Sequence, residues 1–144
     1  MHTPIHINYA AIITAVVVSF IFGFLWYGPL FGKQWAALMG IKMEEGKCGK
    51  PESWRLAVTI FGTLLTAYVL DCSIQKWMPV VLFPADKPST YGFYAAFFTW
   101  LGFYVPLLLG SVTWENKPWK LFGLNALYNF LNLQLIAAIL SNWR

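Results

Sequence analysis

The sequence predicts an all-α, polytopic membrane protein in which four transmembrane helices form one bundle. Of the 144 residues, 58% are hydrophobic and only 11% are charged, whereas about a quarter of a typical soluble domain is charged. Four charge-poor windows are each long enough to cross about 30 Å of hydrocarbon as a helix. Basic residues are concentrated in two of the connections between those windows. These three observations together define the class.

The four windows define the predicted spans. A helix rises about 1.5 Å per residue, so about 20 apolar residues cross the hydrocarbon core. Residues 1–6 contain no Lys or Arg and no small-residue cleavage site follows, so we expect the first window to remain a span rather than act as a signal peptide. One domain over residues 1–144 is expected. Its spans cover residues 7–30, 55–75, 91–112 and 121–140, and a cytoplasmic loop covers residues 31–54.

The distribution of basic residues predicts the orientation. Seven lie in or beside the first and third connections and three lie on the opposite side. By the positive-inside rule, the two connections face the cytoplasm and both termini lie outside. The net charge of +4 is therefore interpreted as a topology signal, and no nucleic-acid partner is expected because the basic residues form no compact cluster with stacking platforms. The seven are Lys33, Lys42, Lys47, Lys50, Arg55, Lys117 and Lys120, and the three are Lys76, Lys87 and Arg144.

The stretch "WYGPLFGKQW" is expected to be the cytoplasmic exit of the first span. Trp26, Tyr27 and Trp35 suit the belt of aromatic side chains at the membrane surface. Pro29 lacks a backbone N–H and is expected to end the helix. Lys33 marks the inner surface.

A polar stripe runs along the fourth span and predicts a functional or packing face. Its members fall within about a third of the helix circumference at 100° per residue. They either form hydrogen bonds between helices, each worth about 0.5–2 kcal/mol, or line a cavity for a neutral, zwitterionic or weakly hydrated solute. The candidate cavity residues, on this span and elsewhere, are Asn8, Asp71, Tyr104, Asn125, Tyr128, Asn129 and Asn132.

The other spans carry faces of small and hydroxyl-bearing residues, on which helices are expected to pack closely. They comprise Asn8, Ala15, Ser19 and Gly23 in the first span, Thr59, Gly62, Thr63 and Thr66 in the second, and Gly92, Ala95, Thr99, Gly102, Pro106 and Gly110 in the third.

Two acidic residues lie on opposite sides of the predicted membrane. Asp71 is about one turn from the outer end of its span, where it is expected to cap the outer loop or pair with Lys76 or Lys87; a binding or gating acid is the alternative. Glu115 is expected to pair with a lysine of a cytoplasmic-face cluster. This cluster consists of Lys33, Trp35, Glu115, Lys117 and Lys120.

The sequence gives no indication of an enzyme. It contains no HExxH pair and no glycine-rich phosphate loop, and its two acids of plausible depth, Asp71 and Glu115, lie on opposite sides of the membrane, so no catalytic residue, metal or cofactor is expected. Cys48 and Cys72 would lie on opposite sides of the bilayer, too far apart for a disulfide.

Two long pieces of the chain carry a family resemblance. "NYAAI…FGFLWYGPLFGKQWAALMG" and "WLGFYVPLLLGSVTWENKPWKLFGLNALYNFLNLQLIAAIL" are similar to the two ends of the bacterial integral-membrane family catalogued as domain of unknown function 1761. The resemblance implies a small four-span protein of the bacterial inner membrane and supplies no reaction. The middle of the chain, including the segment "MPVVLF", matches no pattern of the family. The matching motif positions are Asn8, Trp26, Tyr27, Gly28, Pro29, Gly32, Lys33, Trp35, Pro106, Glu115, Asn125 and Tyr128.

Two functions are consistent with these features. In the first, the protein binds or passes a small polar solute through the stripe of the fourth span. In the second, it is a non-catalytic accessory or structural subunit of a larger membrane complex. Besides the lipid bilayer, we expect copies of the same chain or other membrane subunits as partners, because four spans bury few helix faces among themselves.

Overall fold

The computed structural model describes residues 4–42, 53–81 and 87–143, and in these ranges it contains helices and no strand. Four helices are long and apolar enough to cross a membrane, which confirms the predicted all-α, four-span class. We number them spans 1 to 4 in chain order. They are Tyr9–Leu30, Ser53–Val80, Pro88–Thr113 and Trp119–Asn142.

Three of the spans change from an α-helix to a π-helical turn along their length. The turns are Trp26–Leu30, Ser73–Trp77 and Trp100–Tyr104. Each is associated with a proline: Pro29 lies within the first turn, and Pro79 and Pro106 lie two residues after the other two. Proline has no N–H and its ring crowds the carbonyl four residues earlier, so the hydrogen-bond ladder widens there.

All three prolines therefore lie inside their spans. Span 1 continues through Pro29 to Leu30, and a short helix follows at Gly32–Met39. Span 2 passes Lys76 and Pro79, so that the start of the segment "MPVVLF" is helical. The rest of that segment and Cys48 lie outside the described residues. The α-helical segments are Tyr9–Leu25, Gly32–Met39, Ser53–Cys72, Met78–Val81, Pro88–Thr99, Val105–Thr113 and Trp119–Asn142.

The two ends of the bundle differ in charge and in chain connection. The basic end carries the connections at residues 31–42 and 114–118, and the terminal end carries residues 4–8 and Trp143. At the terminal end, Asn8 caps span 1 by accepting a hydrogen bond from the Ala11 N–H at 3.2 Å, and its amide donates to the Trp143 carbonyl at 3.1 Å. The beginning and the end of the described chain are therefore joined on one side of the bundle.

Span 4 is the central helix and packs against the other three spans. The buried core consists mainly of alanine, leucine and isoleucine side chains and lies in the half of the bundle nearest the terminal end. The half nearest the basic end is less tightly filled, and the candidate site lies there. The core residues are Ala11, Ile12 and Ala15 of span 1, Ala67, Leu70, Ile74 and Met78 of span 2, Ala95 and Ala96 of span 3, and Leu133, Ile136, Ala137 and Leu140 of span 4.

Candidate functional site

A cavity of about 740 Å³ lies among the spans in the half of the bundle nearest the basic end. All four spans contribute to its wall, which is largely apolar with a set of hydroxyl and amide groups. Spans 1 and 2 supply Ser19, Phe20, Gly23, Phe24 and Tyr27, and Leu56, Thr59, Gly62, Thr63 and Thr66. Spans 3 and 4 supply Tyr104, and Tyr128, Asn129, Asn132 and Ile136.

The polar stripe of span 4 faces this cavity along most of its length. Tyr128, Asn129 and Asn132 line the wall, and Tyr104 of span 3 joins them. Asn125 lies one turn nearer the basic end and is not part of the lining. Its Oδ1 accepts a hydrogen bond from the Tyr27 hydroxyl at 2.8 Å, which joins the π-helical turn of span 1 to span 4.

Span 2 presents a row of threonines to the cavity. The hydroxyls of Thr59, Thr63 and Thr66 donate to the carbonyls of Arg55, Thr59 and Gly62 at 2.8, 2.8 and 3.0 Å. This back-bonding satisfies the hydroxyl donor and leaves the oxygen able to accept a further hydrogen bond. The threonine row is therefore a line of acceptors, rather than the close-packing face that the sequence suggested.

One buried polar atom of the wall has no hydrogen-bond partner in the described part of the protein. The Oδ1 atom of Asn132 is buried without a hydrogen bond. Ser19, only 4% exposed, also lines the wall. Buried polar groups are nearly always hydrogen-bonded, and leaving one unpaired costs about 1–3 kcal/mol. A guest or water molecules inside the cavity would remove this cost.

Aromatic rings close the cavity toward the basic end. The Tyr128 ring stacks on Phe22 at a centroid distance of 5.5 Å and meets the edge of Tyr27 at 4.8 Å. Tyr27 in turn contacts Trp35 of the short helix at 5.6 Å. Gly23 makes room for this arrangement, because a Cβ atom there would lie 2.8 Å from the Tyr128 hydroxyl.

The cytoplasmic-face cluster is only partly assembled. Trp35 packs beneath the cavity, whereas Glu115 forms no ion pair with Lys33, Lys117 or Lys120 in the described structure, so the expected pairing is not observed. The turn between spans 3 and 4 is held by the backbone instead. Asn116 has a left-handed φ of 54°, and the Lys117 N–H donates to the Ser111 carbonyl at 3.0 Å.

Two of the candidate cavity residues lie away from the main cavity. Asn8 and Asp71 line a second cavity, of about 550 Å³, at the terminal end. Asp71 is 4% exposed, and the Gln75 amide donates to one of its oxygens at 2.9 Å. The ion pair with Lys76 or Lys87 that the sequence suggested is not found in the described residues.

Sequence reasoning assigned Tyr27, Ser19, Gly23 and the threonine row to other roles, although all of them line the cavity. Their spacing carried the signal. Ser19, Gly23 and Tyr27 recur every four residues, so they share the face of span 1 that meets span 4. Thr59, Thr63 and Thr66 are spaced four and then three residues apart, so they share one face of span 2.

Metal binding has no evident location in the structure. Within residues 4–42, 53–81 and 87–143, no three His, Cys, Asp or Glu side chains are grouped so as to hold an ion. Cys72 is a free thiol.

Four long apolar helices around a cavity that carries hydroxyl and amide groups define a small integral membrane protein of the helix-bundle class. The chain belongs to the family described as "Protein of unknown function (DUF1761)", whose model matches residues 10–141. This match confirms the resemblance found in the sequence. A search of the curated proteins and a search of the solved structures found no match. The family description names no activity, so function is argued from the cavity.

Proposed function

We propose that the protein binds a small, uncharged polar molecule in the cavity between its spans and serves as a binding or transport protein of the bacterial inner membrane. One observation supports this most directly. Tyr128, Asn129 and Asn132 line a cavity of about 740 Å³, and the buried Oδ1 of Asn132 has no partner in the described chain. Small-molecule sites in proteins typically enclose about 300–1,000 Å³, so the cavity has a suitable size.

The chemistry of the wall indicates what kind of guest fits. The lining contains no Asp, Glu, Lys, Arg or His among the described residues, so an ion inside it would lose its hydration without gaining a counter-charge. The hydroxyls of Tyr104 and Tyr128 can donate hydrogen bonds, and the oxygens of Thr63 and Asn132 can accept them. The complementary guest carries both donors and acceptors and no net charge.

The apolar part of the wall adds a second requirement. Phe20 and Phe24 border the cavity and are 41% and 71% exposed, so the cavity opens on the bundle surface beside them. In a membrane, that surface contacts lipid chains. A guest with an apolar portion would be favoured, since that portion would contact these rings while its polar groups reach the amides of span 4.

The packed half of the bundle makes a permanently open channel incompatible with the structure. Leu70, Ile74 and Leu133 are at most 2% exposed and lie on the terminal side of the cavity. A solute could therefore cross the membrane only after a conformational change that separates these core side chains. The proposal is accordingly a bound guest, or a guest released through a conformational change, in place of free conduction.

Native mass spectrometry in lipid nanodiscs tests the proposal. Wild-type protein should retain a defined small molecule, and Asn129→Leu should reduce its occupancy at least about tenfold, because the cavity loses an amide that a buried polar guest needs. Asn142→Leu is the matched control. Both asparagines donate to the carbonyl four residues earlier on span 4, at 2.8 Å in each case, but Asn142 lies outside the cavity. Equal retention in the two variants would contradict the proposal.

The accessory-subunit function has its own supporting observation. Span 3 is the least buried span, and Phe98, Phe103 and Leu107 are 45%, 74% and 77% exposed. A row of this kind suits either lipid or another membrane protein. The same spectra distinguish the two functions. A stoichiometric complex with foreign subunits and no small guest would favour the accessory role, and a homo-oligomer with a guest would favour binding.

A further inference from the structure

The second cavity, at the terminal end, differs from the first because an acidic side chain lines it. It contains a carboxylate, Asp71, two amide side chains, Asn8 and Gln75, and the His6 side chain, for which the structure shows no hydrogen bond to Asp71. Its volume of about 550 Å³ suits a small organic molecule better than a single bare ion. The question is which of its polar groups are free to recognise a ligand.

The amides are already used by the protein. Gln75 donates to the His6 carbonyl at 2.9 Å and to Asp71 at 2.9 Å, and its Oε1 accepts from the His6 N–H at 3.1 Å. The Asn8 side chain accepts from the Ala11 N–H and donates to the Trp143 carbonyl. These bonds hold residues 6–8 against spans 2 and 4 and leave little hydrogen-bonding capacity for a ligand.

The Asp71 carboxylate, unlike the amides, makes few hydrogen bonds to the protein. Asp71 is 4% exposed, and one hydrogen bond from Gln75 is its only interaction with the described residues. A buried carboxylate without a cation costs several kcal/mol, and several of its lone pairs remain unused. The group that would stabilise it must bring a positive charge and fit beside the aromatic side chains of the wall.

Two aromatic residues complete the cavity. Tyr9 and Trp143 line it and are 69% and 48% exposed. Tyrosine and tryptophan rings attract cations, most strongly ammonium groups with organic substituents. We propose that the terminal cavity binds a small organic ammonium ion, with Asp71 as its counter-charge and Tyr9 and Trp143 as its aromatic wall. This site does not depend on the proposed function of the main cavity.

Isothermal titration with choline tests the site, in nanodiscs of phosphatidylglycerol, which supplies no ammonium group. The uncharged carbon analogue 3,3-dimethylbutan-1-ol has nearly the same shape and is the matched ligand. Choline should bind wild-type protein and the analogue should not. Asp71→Asn should weaken choline binding at least about tenfold, equivalent to about 1.4 kcal/mol. Glu115→Gln removes the same charge at the basic end and should leave binding unchanged.

Tyr9→Leu keeps the test decisive if Asp71→Asn fails to fold. Because Tyr9 is 69% exposed, its truncation disturbs little packing, and it should weaken choline binding about two- to fivefold through the lost cation–ring contact. Equal affinity for choline and its analogue, an unchanged affinity in Asp71→Asn, or no choline binding would overturn the proposal.

A further arm identifies the source of the ammonium group. Nanodiscs that contain phosphatidylcholine or phosphatidylethanolamine should show either selective retention of that lipid, lost in Asp71→Asn, or no retention beside normal binding of free choline. The first result assigns the cavity to lipid headgroups and the second to a free solute. Both results support the ammonium site.

Discussion

At the scale of single residues, one glycine decides how closely spans 3 and 4 approach. A Cβ atom on Gly92 of span 3 would lie 2.7 Å from the Ser141 Oγ atom and 3.0 Å from the Ala137 carbonyl oxygen of span 4. Ser141 is 1% exposed and the carbonyl belongs to the backbone, so neither group can easily move away. Gly92 therefore permits a contact between helix backbones that membrane bundles use in place of the hydrophobic effect.

Gly92→Ala should destabilise the bundle by about 1–3 kcal/mol, because the new methyl group overpacks the contact between spans 3 and 4. Gly110→Ala is the matched control on the same span, since a Cβ atom at Gly110 would meet nothing within 4 Å. An alanine there should be neutral or stabilising by about 0.5–1 kcal/mol, as expected in a helix interior. Thermal unfolding in detergent measures both variants. Similar melting temperatures for the two would show that the close approach is not required.

At the scale of the helices, hydropathy and periodicity predicted the number of spans and the face of span 4, but not every boundary or facing partner. Span 2 was expected to end at residue 75, yet the Ser73–Trp77 turn and the helix Met78–Val81 continue past Lys76 and Pro79. The spacing of Thr59, Thr63 and Thr66 was enough to place them on one face of span 2. Whether that face meets another helix or a cavity depends on the distance between the spans, which the sequence of one helix does not determine.

The same reasoning explains why Asn8 and Asp71 were grouped with the stripe. Both are polar residues in or beside a span, and composition cannot distinguish them from the cavity amides. Their depth does, because Asn8 is the residue that caps the start of span 1, and Asp71 lies in the opposite half of span 2 from Thr59. Residues at the terminal end cannot share a cavity with Tyr27 at the basic end of span 1.

The Tyr27–Asn125 hydrogen bond should stabilise the contact between the π-helical turn of span 1 and span 4. Tyr27→Phe and Asn125→Leu each remove the 2.8 Å bond, so the double variant should be less destabilised than the sum of the two, with a coupling of about 0.6–2 kcal/mol. A denaturation series in mixed micelles measures the cycle. Tyr27→Phe combined with Asn142→Leu, at opposite ends of the bundle, should be additive. Additivity in both pairs would assign no energetic role to the bond.

At the scale of the whole molecule, the bundle has two chemically distinct halves. The uncharged cavity lies in the half nearest the basic end and opens on the bundle surface beside Phe20 and Phe24, and the Asp71 cavity lies at the terminal end beyond the packed core. Of the described basic residues, Lys33, Lys42, Arg55, Lys117 and Lys120 lie at or near the basic end, and Lys76 and Lys87 lie at or near the other. If the orientation predicted from charge holds, the solute cavity opens in the cytoplasmic half and the ammonium site faces outward.

Reporter fusions in a bacterial host test that orientation. Both termini are predicted to lie outside, because the positive-inside rule retains the lysine-rich connections in the cytoplasm. Alkaline phosphatase fused after residue 144 should therefore be active, and green fluorescent protein fused at the same place should stay dark. Fusions after Gly40, behind span 1 alone, should give the opposite pair of results. Fluorescence from the carboxyl-terminal fusion would show that the orientation is the opposite of the predicted one. The Asp71 cavity would then face the cytoplasm, and its ligand would have to be an intracellular ammonium compound.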